Sequence, residues 1–192
     1  MKNGMKILGV VLLVIVVVGL MGFTWYKNGY NTAIAKDEQV QSSWAQVENQ
    51  LQRRNDLIPN LVNTVKGFAA QEKGIFTEVT RLRSQWGKSQ TIGDKIDAAQ
   101  GMSGALSRLL LVAENYPQLK SNENFLALQS QLEGTENRIA VERMRYNNAV
   151  QDFNRFRRSF FGRFFAAQAG VDKEAVYFKA AETARDVPEV TF

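Results

Sequence analysis

Between Phe153 and Gly170, in the stretch FNRFRRSFFGRFFAAQAG, six of the chain's twelve phenylalanines stand among four arginines, Arg155, Arg157, Arg158 and Arg163. No acid occurs between Asp152 and Asp172. Guanidinium groups beside a phenylalanine-rich face suit an interfacial membrane helix, whose rings enter the headgroup boundary while its cations meet anionic lipid. Phe156, Arg157, Arg158, Phe160, Phe161, Arg163, Phe164 and Phe165 are therefore the candidate contacts with a membrane or a partner. Two other readings use the same residues: the end of a bundle core edged by a solvated cationic face, or a contact between copies of the chain.

A second set could form a polar core. Arg54, Glu72 and Glu142 fall on otherwise apolar helical stripes, where a buried charge must be paired and such pairs can fix register. At a stripe edge the same long side chains would instead reach out to water. Catalytic templates find no residues to fill them. With no His and no Cys there is no histidine triad, no HExxH zinc helix, no ExxH pair for a bridged di-metal site and no cysteine metal site or disulfide. Gly87-Lys88-Ser89 is similar to the end of a phosphate loop, but the glycine needed five residues earlier is Leu82. The acid pairs Asp94 with Asp97 and Glu133 with Glu136 have the spacing of solvated helix faces. The residues thus point to a non-enzymatic protein with no cofactor and no identified small-molecule substrate.

The element that must position the rest is the stretch Ile7 to Tyr26, ILGVVLLVIVVVGLMGFTWY, which carries no charge between Lys6 and Lys27. As a helix it spans roughly 30 Å, the thickness of a bilayer's hydrocarbon core. Trp25 and Tyr26 close it with rings that settle at headgroup level. A cleaved signal peptide has a shorter apolar core, about 7 to 15 residues, and a cleavage site close behind it, whereas the A-x-A triplet Ala33-Ile34-Ala35 lies well beyond Tyr26; a retained anchor is expected. Lys2, Lys6 and the amino terminus precede the span, and Lys27 and Lys36 follow it. This small bias favours a cytoplasmic N-terminus, with the following domain outside the cytoplasm. From Lys27 onward 22 basic face 19 acidic side chains, too even a balance for a nucleic-acid binder.

Residues 27–160 read as a helical bundle domain, after a short segment 1–6 and the span 7–26, and before a C-terminal tail 161–192. Stepping by four and three from Val40 through Trp44, Val47, Leu51, Arg54, Ile58, Leu61, Val65, Phe68, Glu72, Ile75, Val79 and Leu82 to Trp86 meets only two residues that are not apolar. That period predicts a helix stripe covered by other helices. Pro59 interrupts it, and Asp56 could cap a new helix with Pro59 in its first turn. One helix over about 30–54 and another over about 57–86 are therefore expected, with the alternative of one long helix kinked at Pro59 in a three-helix bundle. After the loop Gly87–Gly93, Thr91 and Asp94 fit a cap for a third helix that stops before Tyr116-Pro117. Ser121-Asn122 caps a last long helix, whose stripe runs from Phe125 to Phe160. Four such helices make an antiparallel up-and-down bundle whose last member returns toward the membrane.

Several ordered motifs resemble one family. Tyr30-Asn31, Trp44, QLQRRNDLIPNLVNTVKGFAAQE from Gln50, YPQLKSNENFLALQSQLEGTENRIAVERMRYNNAVQDFN from Tyr116, and the closing VPEVTF from Val187 are similar to the LemA family of bacterial membrane proteins. The resemblance implies an N-terminal anchor in the inner membrane followed by a four-helix bundle, and no established enzymatic activity. It also implies links to membrane organisation in magnetosomes and to the neighbourhood of a membrane metalloprotease. The partners expected on this basis are the lipid bilayer, further copies of the chain in a homo-oligomer, or a membrane protein for which this one acts as adaptor. Phe68 and Phe153 stand where tyrosine is common in the family. Phe160-Phe161 stands where Phe-Pro is common, so the last helix is expected to run on. The family is sometimes drawn with its domain inside the cell, opposite to the charge count here.

Overall fold

The structure, a computed structural model, describes residues 2–179. Among the described residues six helices follow one another: α1 Lys2–Phe68, α2 Lys73–Lys88, α3 Ile92–Asn115, the single turn α4 Pro117–Lys120, α5 Glu123–Arg158 and α6 Phe160–Gln168. No strand occurs among the described residues. The chain forms two compact units, one comprising α1 up to Ser42 with Ala149–Ala175, the other Ser43–Asn148 with the segment from Val176.

The second unit is a four-helix bundle. Ile58, Leu61 and Val65 of α1, Phe76 and Val79 of α2, Leu106 and Leu109 of α3, and Phe125 and Leu132 of α5 share one buried core. Contacts between helices give the directions. Arg54 meets Glu136 and Trp44 meets Tyr146, so α5 runs antiparallel to α1. Asn55 meets Arg83 and Lys66 meets Phe76, so α2 also runs antiparallel to α1. Glu48 pairs with Lys95 and Arg54 reaches Ala99, so α3 runs parallel to it. The bundle is up, down, up, down.

The turn between its first two helices is not where the sequence suggested. No turn forms at Asp56, and α1 continues through Pro59 to Phe68, so the break falls at Ala69–Glu72. Two local interactions explain this. Asp56 is not a cap, because its carboxylate accepts from Gln52 Nε2 one turn back at 2.8 Å. Pro59 lacks the N–H that would reach the carbonyl of Asn55, and Arg83 of α2 supplies a donor instead, its Nε lying 3.3 Å from that oxygen. The stripe registers the true turn: Val65 is buried, but burial then passes to Ala69 and Phe76 while Phe68 is exposed. The shift of one residue moves the turn without changing the number of helices.

This arrangement predicts a coupling. Arg83→Met should lower stability by about 1–3 kcal/mol by orphaning the Asn55 carbonyl. In a Pro59→Ala background, where residue 59 donates to that carbonyl itself, the same replacement should cost about 1 kcal/mol less. Equal costs in the two backgrounds, measured by urea unfolding, would show that Arg83 does not serve this carbonyl.

α2 runs on to Lys88 and α3 begins at Ile92, so the loop is shorter than the expected Gly87–Gly93, while the expected caps are present. The Thr91 hydroxyl accepts from Asp94 N at 3.1 Å to cap α3, α3 stops at Asn115 before Pro117, and Asn122 Oδ1 accepts from Phe125 N at 3.0 Å at the start of α5. In the first unit, Ala33 and Val40 of α1 are buried, as are Ala149, Val150 and Phe153 of α5. From Ile7 to Tyr26 the large apolar side chains are exposed, and this part of α1 is long and apolar enough to cross a membrane.

Candidate functional site

Of the phenylalanine and arginine residues singled out above, Phe161, Phe164 and Phe165 meet the end of the apolar span. α5 does not run on past Phe160. It ends at Arg158, because Ser159 takes an extended conformation and caps a new helix, its hydroxyl accepting from Gly162 N at 3.2 Å and donating to the Phe156 carbonyl at 2.7 Å. The bend is tight enough that a Cβ on Gly162 would stand 1.9 Å from that carbonyl oxygen. α6 then lies against α1. Phe165, 3% exposed, packs edge-on to Trp25 and Tyr26 with ring centroids 5.0 and 5.9 Å away. Phe161 meets Trp25 at 5.3 Å, and Phe164 meets Tyr26 at 6.5 Å. Gly29 admits the Phe165 ring; a Cβ there would lie 2.2 Å from it.

On their outer face the rings of Phe160, Phe161 and Phe164 have no cover within the unit among the described residues. Phe160 is 86% exposed, Phe161 56% and Phe164 47%. Arg163 and Arg158 are exposed beside them, and Arg158 Nε donates to the Asn154 carbonyl at 3.4 Å. Phe156 is half-buried. Arg157 is turned away from this face: it donates to the Asp172 carbonyl at 3.2 Å and pairs with Glu174 at 3.0 Å. Arg155 sits 3.8 Å from Asp152.

Past α6 the chain has no regular structure through Lys179, and in each unit an asparagine of α5 holds it. In the first unit, Asn154 donates to the Ala175 carbonyl at 2.9 Å and accepts from the Ala175 N–H at 3.1 Å. In the second, Asn147 does the same for Phe178, at 3.0 and 2.9 Å. There Tyr146 donates to the Val176 carbonyl at 2.6 Å, Gln100 to that of Lys179 at 2.8 Å, and the Arg143 guanidinium covers the buried Phe178 ring. These residues were not singled out from the sequence, although two asparagines seven apart inside a long helix were a signal, since asparagine is a weak helix former. Of the expected tail 161–192, residues 180–192, including VPEVTF, lie outside the described residues.

Burial pushes the Tyr146 phenol up to about 12. The folded state thus favours the neutral phenol, and this contribution is intact below the ordinary tyrosine value of about 10 and lost as pH rises from there to about 12. Tyr146→Phe should therefore be less stable than the parent at pH 8 by about 1 kcal/mol, and thermal melts should show the gap closing as pH approaches 12. A constant gap would remove the phenol from the alkaline response.

Among the described residues Arg54 is the largest fully buried side chain. It donates to Glu136 at 3.1 Å, to Ser103 Oγ at 2.9 Å and to the Ala99 carbonyl at 3.0 Å, beside a cavity of about 90 Å³ also lined by Phe178. Glu72 and Glu142 do not join it: Glu72 precedes α2 in the turn, and Glu142 accepts from Arg145 at 2.8 Å. An open groove of about 1200 Å³ follows α2 over Thr77, Thr80 and Ser84. Thr77 and Thr80 bond their own helix carbonyls one turn back, and Lys73, Lys88 and Asp94 also line the groove. Among the described residues no group of three His, Cys, Asp or Glu could hold a metal ion.

An exposed apolar helix joined to a helical bundle, with its interfacial rings packed by a second short helix, defines a membrane-associated helical protein. The LemA family profile matches residues 43–192, and the chain belongs to the LemA family. It is 29% identical over 151 residues to magnetosome protein MamQ 2 of Paramagnetospirillum magneticum, covering 65% of this chain and 56% of that protein. With magnetosome protein MamQ of Magnetospirillum gryphiswaldense it shares 27% over 170 residues, covering 74% and 62%. The chain therefore spans less than two thirds of either relative.

Proposed function

We propose that this protein is a non-enzymatic, single-pass scaffold of the bacterial inner membrane whose bundle assembles with further copies of itself. The observation that carries assembly is an outward face of α5: Leu126, Val141 and Met144 are 48%, 44% and 58% exposed, on the side of the helix turned from core residues Phe125, Leu132 and Ile139. Nothing among the described residues of the bundle covers them, and helical spacing brings them onto one side. Family membership and kinship with magnetosome proteins support a part in a larger assembly. Mass measurement of the full-length protein in nanodiscs tests this. A discrete homo-oligomer that Val141→Glu with Met144→Glu disperses supports the scaffold. A monomer, or a complex with one other membrane protein, points instead to an adaptor, such as a regulator of a membrane protease.

Lys2 and Lys6 before the span support a cytoplasmic N-terminus, with the bundle outside. The chain has no cysteine, so a single exposed Gln118→Cys reports cleanly. Labelling by an impermeant maleimide in intact cells fits this orientation; labelling only after lysis reverses it.

A further inference from the structure

We infer that α6 is a second membrane contact, an interfacial helix that lies in the headgroup boundary of the leaflet at the Tyr26 end of the span and binds anionic phospholipid. The inference rests on α1 crossing the bilayer and is independent of whether the protein assembles. Depth is set by the packing: Phe165 and Phe161 sit against Trp25, and Phe164 and Phe165 against Tyr26. These two rings end the uncharged stretch, where amphipathic rings settle between hydrocarbon and water. A helix held there is already at the boundary.

Chemistry agrees with depth. On a helix of nine residues, Phe160, Phe161 and Phe164 present exposed rings with no apolar partner on their outer side among the described residues, an arrangement unfavourable in water. The exposed cations beside them, Arg158 and Arg163, have no acidic partner among the described residues, whereas Arg157 and Arg155 are engaged with Glu174 and Asp152. Rings directed into the acyl boundary with arginines at the phosphate level satisfy both sets at once. The break at Ser159 serves this placement by separating α6 from α5.

The test uses the full chain in bilayers with a nitroxide on Phe160→Cys or Phe164→Cys, exposed positions whose replacement leaves the Phe161 and Phe165 contacts with Trp25 in place, and on Gln118→Cys as the aqueous reference. Accessibility to oxygen relative to a water-soluble nickel chelate should be several-fold higher at 160 and 164 than at 118. Adding anionic lipid to a zwitterionic bilayer should raise it further. Arg158→Gln with Arg163→Gln should abolish that dependence, at about fivefold in partitioning per arginine. Aqueous values at 160 and 164 in both bilayers would overturn the inference. So would low access to both reagents with spin–spin broadening, which marks a contact between copies. Assembly, read by mass on the same samples, stands or falls separately.

Discussion

Glu136→Ala is expected to lower the stability of the bundle by about 3–5 kcal/mol, the effect of leaving a buried charge without its counter-charge. The two members of the pair are not equivalent. The Arg54 side chain is 2% exposed and that of Glu136 38%, so removing the acid leaves the more deeply buried charge without its partner, while removing the base leaves a carboxylate that water already reaches. Burial already pulls the Arg54 pKa down, and Glu136 opposes that pull. Without the acid, only Ser103 and the Ala99 carbonyl hold the charge. Arg54→Met, which keeps much of the stem's volume, should cost clearly less, and adding Glu136→Ala to it should cost little more. Urea unfolding of the four proteins in mild detergent measures the coupling. If Arg54→Met proved the worse variant, the pair's worth would lie in arginine packing rather than charge.

How far this pair could be read from the sequence shows what a stripe encodes. A period of three and four identifies the face of α1 that is covered, so Arg54 stands out as a charge on a covered face, and the fold class follows from counting such faces. The partner does not follow. It depends on which residue of α5 lies opposite, and a register between antiparallel helices is set by loop lengths and packing that a single helix does not record. The residue that answers Arg54 is Glu136, six residues before Glu142 and off the stripe.

The displaced turn has a related cause. Pro59 is a strong local signal to end a helix, and Asp56 stood ready to cap another, yet the remedy came from Arg83, in sequence far beyond the local window. Even spacing carried the stripe past Phe68 and Glu72 as if no turn lay there, because apolar residues on both sides kept nearly the same phase. At the site, composition marked the phenylalanine and arginine stretch, but could not tell which arginines face outward. Arg157 serves Asp172 and Glu174 on the returning chain, while Arg158 and Arg163 stay free of acids among the described residues.

Gly29→Leu should detach α6 from α1. The new Cβ would overlap the Phe165 ring at 2.2 Å, and that ring is wedged between Trp25 and Tyr26, so it cannot yield without moving the helix that carries it. Overpacking of this kind costs about 1–3 kcal/mol, equivalent to a rise in local opening of about 5- to 150-fold. Amide hydrogen exchange across Phe160–Gln168 should speed up by that factor, while the bundle core around Leu61 and Leu109 keeps its protection. Gly67→Leu supplies the control on the same helix, since a Cβ there meets nothing within 4 Å. Unchanged exchange in α6 would mean that the Phe165 contact does not hold it. If exchange rises and the nitroxide at 160 still reports lipid, the bilayer alone retains α6; if both signals are lost together, the packing against Trp25 and Tyr26 is what holds its rings at the boundary.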